Sequence, residues 1–227
     1  MMDHNRHLEA DNGDAQALQR MIREGEHQQQ DFKFRIDSTA KIAKTLSAFA
    51  NTDGGRLLIG VKDNGRITGV DPEEEFFMIE GAAQLYCQPA VPFEYQVYAW
   101  EDKRVLEIEI PDSAAKPHLA KEEDGRYRAY VRQADENFRA NAVLLRFLRD
   151  KTPASKAKNL VAYGPAERLL FDYLSENASI SISKFARLAH LPRREAEQIM
   201  ASFLKWEVLI WNATEEGIRF ALRPEAL

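Results

Sequence analysis

Residues 44–70, KTLSAFANTDGGRLLIGVKDNGRITGV, leave a chain few ways to fold. Ile42, Leu46, Phe49 and Ala50 fall at i, i+4, i+7 and i+8, which makes one helical face apolar. Asn51-Thr52-Asp53-Gly54-Gly55 then stops the helix, because paired glycines permit a positive φ where a β-carbon would clash. Leu57-Leu58-Ile59-Gly60-Val61 is a short, nearly continuous apolar run, the pattern of a strand buried on both faces. Asn64-Gly65 is a strong hairpin signal and predicts a return strand over 66–70.

The flanks extend this pattern. Asp14 is placed to cap a helix whose stripe is Leu18, Met21 and Ile22, with Gly25 at its end and residues 1–13 as a tail. In QDFKFRI, Phe32, Phe34 and Ile36 are expected on one strand face, with Asp31, Lys33 and Arg35 on a wet face. Ser38 or Asp37 caps the helix that runs to Ala50. Asp71-Pro72 opens another, with Glu73, Glu74 and Glu75 at its positive end, broken later by Pro89 and Pro92. Alternation over 93–98 and 105–110 predicts a hairpin. The segment around Pro117-His118 reads as a loop. Arg126, Arg128, Tyr130 and Arg132 share one face of a further strand, and a helix is expected over 137–151.

The fold class is therefore α+β: a mainly antiparallel sheet with packed helices over 14–151, a small, basic linker over 152–164, and a second domain over 165–227. That second domain reads as a helix over 165–176, a short helix capped by Ser181 or Ser183, a third from Pro192 through Lys205, and strands over 208–211 and 218–221. Three helices and a hairpin are the layout of a winged helix. The likeness is architectural, with no residue motif behind it.

Charge sets the first limit on partners. The 227 residues carry a net −5, unevenly spread: residues 151–227 hold 11 Lys and Arg against 9 Asp and Glu, or +2, which leaves −7 before them. Phosphate binding needs clustered cations, so any nucleic-acid face has to be local. One cysteine, Cys87, excludes an internal disulfide and a thiolate zinc site. No apolar run approaches the roughly 20 residues that span a bilayer. The polar, acidic start is unlike a signal or transit peptide. The expectation is a cytoplasmic chain with no membrane partner.

Three constellations can carry chemistry. Asp31 and Lys33 on one strand, with Asp63 at the hairpin turn, are the residue types with which a nuclease holds Mg²⁺ against phosphate; equally, they are common charges on a strand and a turn. Lys33, Arg35, Arg126, Arg128 and Arg132, with Lys41 and Lys44 on the adjoining helix, would add up to a phosphate groove if their strands are neighbours, and Tyr130 would be available for stacking. Arg193 and Arg194 open the third helix of the second domain, with Lys184 and Arg187 on the helix before, where a winged helix meets nucleic acid; Glu195 and Glu197 on the same helix oppose that. The glycines at 54 and 55 follow a helix and precede a strand, the reverse of a phosphate-binding loop, so ATP binding is not expected. His118 and His190 lack partners at metal-ligand spacing.

AFANTDGGRLLIGVKDNGRITGV, preceded by Asp31-Phe32-Lys33 and followed by Tyr130-Val131-Arg132, resembles the Schlafen AlbA_2 domain, a family labelled as a DNA-binding or ATP-binding module. It departs at Asp31, where the family usually has Glu, and at Gln133-Ala134-Asp135, which replaces a glycine-containing turn. The resemblance implies binding of DNA or RNA without a cofactor, as in a prokaryotic transcriptional regulator, and a homodimer if the winged helix reads paired half-sites. It also carries an alternative: in ribonuclease-active Schlafen proteins three carboxylates form the cutting site, and Glu26, Asp31 and Asp63 match them by motif, with Mg²⁺ or Mn²⁺ as the metal and Lys33 as helper. A protein-interaction adaptor is the third reading, favoured if no nucleic acid binds.

Overall fold

The computed structural model describes residues 15–150 and 164–224. The tail at 1–13, the Asp14 cap and nearly all of the linker at 152–164 lie outside the described residues. The chain divides into two compact units between Arg139 and Ala140. Among the described residues it is a mixed α+β protein with seven helices.

The first unit is built around α2 (Thr39–Asn51). Ser38 caps it, the Oγ accepting from Lys41 N at 3.3 Å, and nine of its 13 residues are buried, so it is an internal helix rather than a surface one. One sheet has the order β1 (Gln30–Lys33), β2 (Gly55–Ile59), β5 (Lys103–Ile110), β4 (Glu94–Trp100); β1 runs parallel to β2 and the other pairs are antiparallel. The second sheet is antiparallel throughout, in the order β3 (Cys87–Gln88), β6 (Leu119–Lys121), β7 (Tyr127–Gln133), β8 (Glu136–Arg139). Ile42, Leu46 and Phe49 of α2 share a core with Leu57, Ile59, Leu106 and Ile108 of the first sheet and Ile79 of α3 (Pro72–Leu85). The other face of that sheet buries Phe32, Leu58 and Val105 against Leu18 and Met21 of α1 (Ala15–Glu24).

The helix-to-strand turn explains its glycines. Gly54 N donates to Phe49 O at 3.0 Å, and Gly54 holds φ +68 beneath the end of β5. A β-carbon there would come within 2.7 Å of Asp112 N and Ile110 O, so the close approach itself requires glycine.

Three expectations need correction. The return strand over 66–70 does not form: Val61↔Ile67 is an isolated bridge. Thr68 N and Gly69 N both donate to Gly60 O (2.8 and 3.1 Å), which pulls the chain across β2 instead of along it. The helix expected over 137–151 begins later. A tight turn at Ala134 (φ 54) sends residues 136–139 back as β8, and α4 (Ala142–Arg149) starts at the Asn141 cap. The segment at 117–118 is a loop, as expected, that leads into β6, with His118 fully buried. Finally, Asp31 does not lie on a wet face. It pairs in register with Leu57 on the α2 side of the sheet and is 4% exposed, whereas Phe34, expected inside, is 48% exposed.

The second unit holds α4, α5 (Pro165–Glu176), α6 (Ile182–Leu188), α7 (Arg193–Lys205), β9 (Leu209–Thr214) and β10 (Gly217–Leu222). Ser181 caps α6 by accepting from Lys184 N at 3.2 Å. The unit buries Leu170, Phe185, Met200, Phe203 and Phe220, and α4 packs on α7. From α5 onward the elements follow the predicted order of three helices and a hairpin.

Candidate functional site

The predicted acids and cations separate into an inner and an outer set. The inner set gathers where β1 meets β7. Lys33 Nζ lies 2.8 Å from Asp31 Oδ2 and also donates to Phe32 O at 2.9 Å. Glu26 accepts from Phe32 N at 3.0 Å and shares a hydrogen bond with the Asp31 carboxyl. Arg132 is 1% exposed. Its Nη2 donates to His27 O (3.1 Å) and Gln30 O (3.0 Å), its Nη1 to Asn137 Oδ1 (3.1 Å), and its guanidinium lies 4.6 Å from the centre of the Phe49 ring. Burial lowers the Arg132 pKa, and the charges of Asp31 and Glu26 oppose that shift. Glu26, Asp31, Lys33 and Arg132 thus form one charge-compensated knot at the core.

Burial pushes the Glu26 carboxyl above the ordinary glutamate value, and the hydrogen bond and charge of Asp31 push the same way; the Phe32 N–H and Lys33 oppose them. A raised folded-state pKa means that the folded chain holds an extra proton just above the ordinary value. Its stabilising effect is full below that value and is lost as pH rises through the folded one. Glu26→Gln keeps an acceptor for Phe32 N–H and a donor for Asp31 without titrating. The variant is expected to match wild type in acid and to exceed it in stability above the window, read by urea unfolding from about pH 4 to 8. A difference that does not change with pH would place the carboxyl in water instead.

Asp63 is not part of this knot. It is exposed on the turn after β2, and among the described residues no group of three or more His, Cys, Asp and Glu side chains is placed to hold a metal ion. The three-carboxylate arrangement implied for Mg²⁺ or Mn²⁺ therefore does not fit these residues: two of its acids are engaged with each other and with Lys33, and the third stands apart.

The outer set lies where α2 packs on β7. Lys44 Nζ stands 5.7 Å from the centre of the Tyr130 ring, and Arg139 is the register partner of Tyr130 across β7 and β8. Lys41, one turn earlier on α2, is exposed, as is Arg139. Among the described residues no carboxylate pairs with Lys41, Lys44 or Arg139. Arg128 is different: it pairs with Glu122 (2.8 Å) and Asp124 (3.0 Å), and Glu122 also accepts from the Tyr130 hydroxyl. Arg126 is exposed, 3.8 Å from Asp124, and Arg35 pairs with Asp37 at 2.7 Å. Lys44, Arg128 and Tyr130 are thus brought together as the sequence suggested, while Lys33 is paired with Asp31 and Arg132 is buried. A cleft of about 360 Å³ elsewhere in this unit is lined by Asp53, Glu107, Glu109 and Asp112 beside Arg56, a poor phosphate seat.

In the second unit, Arg193 is held by Glu197 (3.1 Å) and Ser183 Oγ (3.2 Å), while Lys184 lies 5.8 Å from the Tyr173 ring centre. Arg194 is exposed and lines a cleft of about 490 Å³ with Arg146, Arg149 and Glu197. Sequence reasoning misses Arg139, because the spacing over 137–151 predicts one helix. It also misses Asn51, whose side chain ties α2 to the backbone at His118 and Tyr130; Asn-Thr-Asp-Gly-Gly reads as a helix stop, and nothing local shows that its first residue points inward.

An internal amphipathic helix ending in a glycine turn, between a sheet with a parallel edge and an antiparallel one, defines a small α+β module with a cationic α2–β8 edge. The Schlafen, AlbA_2 family model matches residues 26–141, half of the chain, and the chain belongs to that family. Among solved structures, the N-terminal domain of an ATP-dependent DNA helicase RecG-related protein from Nitrosomonas europaea is similar at 24% identity and a TM-score of 0.41, over 51% of this chain and 87% of that one. The DIP2311 protein from Corynebacterium diphtheriae is similar at 19% identity and a TM-score of 0.41, over 84% of this chain and 34% of that one. No curated protein matches the chain.

Proposed function

We propose that the chain binds nucleic acid through the α2–β8 edge of its AlbA_2 unit and acts in the cytoplasm as a regulator rather than through a cofactor. One observation carries this reading: Lys44 and Arg139 flank Tyr130, Lys41 is exposed one helical turn before Lys44, and none of the three has an acid partner among the described residues, in a unit whose net charge is negative. Cations left unpaired on an acidic domain are poised for an external polyanion. Membership of the Schlafen AlbA_2 family, whose resemblance implied nucleic-acid binding, supports it. The three helices and hairpin of the second unit would serve as a winged helix, with Arg194 and Lys184 as outward cations.

The test is a salt series by fluorescence anisotropy with labelled DNA and RNA. Lys41→Ala, Lys44→Ala and Arg139→Ala together are expected to weaken binding about tenfold or more at low salt. They should also flatten the dependence of log K on log salt by about 2 to 3 units, one per lost phosphate contact. Failure of the wild-type chain to retain DNA or RNA at low salt would overturn the proposal.

A second reading, RNA cleavage, is favoured by the direct contact of Glu26, Asp31 and Lys33. The donor set does not form a three-acid ion site, and no cutting step follows from it. Mn²⁺-dependent cutting of structured RNA that requires Glu26 but survives Asp63→Ala would make this the better reading.

A further inference from the structure

Phe34, one residue past the end of β1, is a large apolar side chain left largely to water. Its neighbour Phe32 is 1% exposed; Phe34 is 48% exposed. The reason lies in the pairing of β1. Gly60 N and Val61 N both donate to Lys33 O (2.8 and 3.3 Å), the ladder ends there, and the next residue leaves the sheet without a partner strand. The ring is not left in plain solvent, however. Lys62 Nζ stands 5.4 Å from its centre, and Arg35 Cζ stands 5.8 Å from it. Both cations are themselves exposed, and Arg35 is steadied by Asp37 at 2.7 Å. An exposed aromatic face with an ammonium and a guanidinium beside it matches the two chemistries of an unpaired nucleotide: a π face for the base and cations for the flanking phosphates.

We propose that Phe34, with Lys62 and Arg35, is a stacking site for one unpaired nucleobase, so that the chain takes single-stranded nucleic acid at this edge. The proposal rests on the nucleic-acid reading above but uses a different surface. A duplex keeps its bases stacked on one another and offers this ring nothing. A single strand lays a base on it, while Lys62 and Arg35 swing from the ring to the flanking phosphates. Stacking of this kind tolerates any base, so the site would add affinity for single strands without reading sequence.

The experiment compares short oligo(U) and oligo(dT) with a duplex of equal length, by anisotropy at low salt on the full chain. Phe34→Leu keeps an apolar side chain at an exposed position, so folding is preserved, but removes the π face. It is expected to weaken single-strand binding by roughly 10-fold, with duplex binding changed less than about twofold, and Phe34→Trp is expected to restore the loss. A single 5-iodouracil in the strand should photocrosslink to the peptide containing Phe34. Unchanged single-strand affinity in Phe34→Leu, or equal loss for strand and duplex, overturns the stacking site while the α2–β8 edge stands. If the wild type binds neither strand nor duplex, both proposals fall together. A Phe34→Leu variant that keeps strand binding but loses an apolar peptide ligand would mark the ring as a protein contact and overturn the stacking site as well.

Discussion

Replacing Arg132 by methionine is expected to destabilise the first unit by about 3–5 kcal/mol, read as a lower denaturant midpoint at an unchanged slope. Methionine fills most of the space taken by the arginine stem, so the loss is not chiefly a cavity. What disappears is a planar, buried group with donors aimed at His27 O, Gln30 O and Asn137 Oδ1 at once. Orphaned buried acceptors cost about 1–3 kcal/mol each, partly offset where the chain relaxes. The charge matters as well, since Asp31 and Glu26 lose the guanidinium whose field they share. Arg132→Lys keeps that charge on a compact ammonium that cannot span three acceptors, and should recover less than half of the loss. A methionine variant as stable as wild type would show that the acceptors find other donors and that the knot is not what joins β1 to β7.

That knot marks where sequence reasoning stops. Period-two alternation in QDFKFRI says correctly that Asp31 and Lys33 share a face, but not what covers the face. The cover comes from β7: Arg132 is 105 residues from His27 and 102 from Gln30 in the chain. Local patterns succeed where both partners are local. The apolar stripe of α2, the Asp71 cap of α3, the β4–β5 hairpin and the order of α5, α6, α7, β9 and β10 were all legible for that reason. They fail where a single backbone hydrogen bond redirects the chain. Gly60 O takes Thr68 N and Gly69 N and cancels a strand that Asn64-Gly65 announces. Ala134 in a left-handed conformation makes β8 out of what reads as the first turn of a helix, and so carries Arg139 to Tyr130. Of the candidate site, the grouping of Lys44, Arg128 and Tyr130 was readable. Which cations stay unpaired was not, because pairing depends on Glu122 and Asp124 arriving from the β6–β7 turn.

Asn51→Asp is expected to be the most damaging near-isosteric change in the chain, at roughly 4–6 kcal/mol at neutral pH, against about 3 kcal/mol for Asn51→Ala. Asn51 is the last residue of α2 and is 2% exposed. Its amide nitrogen lies 2.8 Å from His118 O, 2.9 Å from Tyr130 O and 3.2 Å from Ser47 Oγ, while its Oδ1 accepts from His118 N at 2.8 Å. One side chain therefore fastens the central helix to the backbone of the second sheet with both donors and its acceptor in use. Alanine leaves those groups unpaired. Aspartate does worse, because it turns a carboxylate oxygen towards two carbonyl oxygens with no water between them. The folded chain then holds either a buried, repelled charge or a bound proton, so the folded-state pKa of the new acid must rise above its unfolded value. The proton stabilises the fold fully below the unfolded pKa, and that contribution is lost as pH rises through the folded one. The gap between Asn51→Asp and Asn51→Ala should accordingly close, or reverse, as urea unfolding is repeated at falling pH. If instead the two variants stay equally stable from acid to neutral pH, water reaches this corner, and α2 is held to the second sheet by its apolar packing alone.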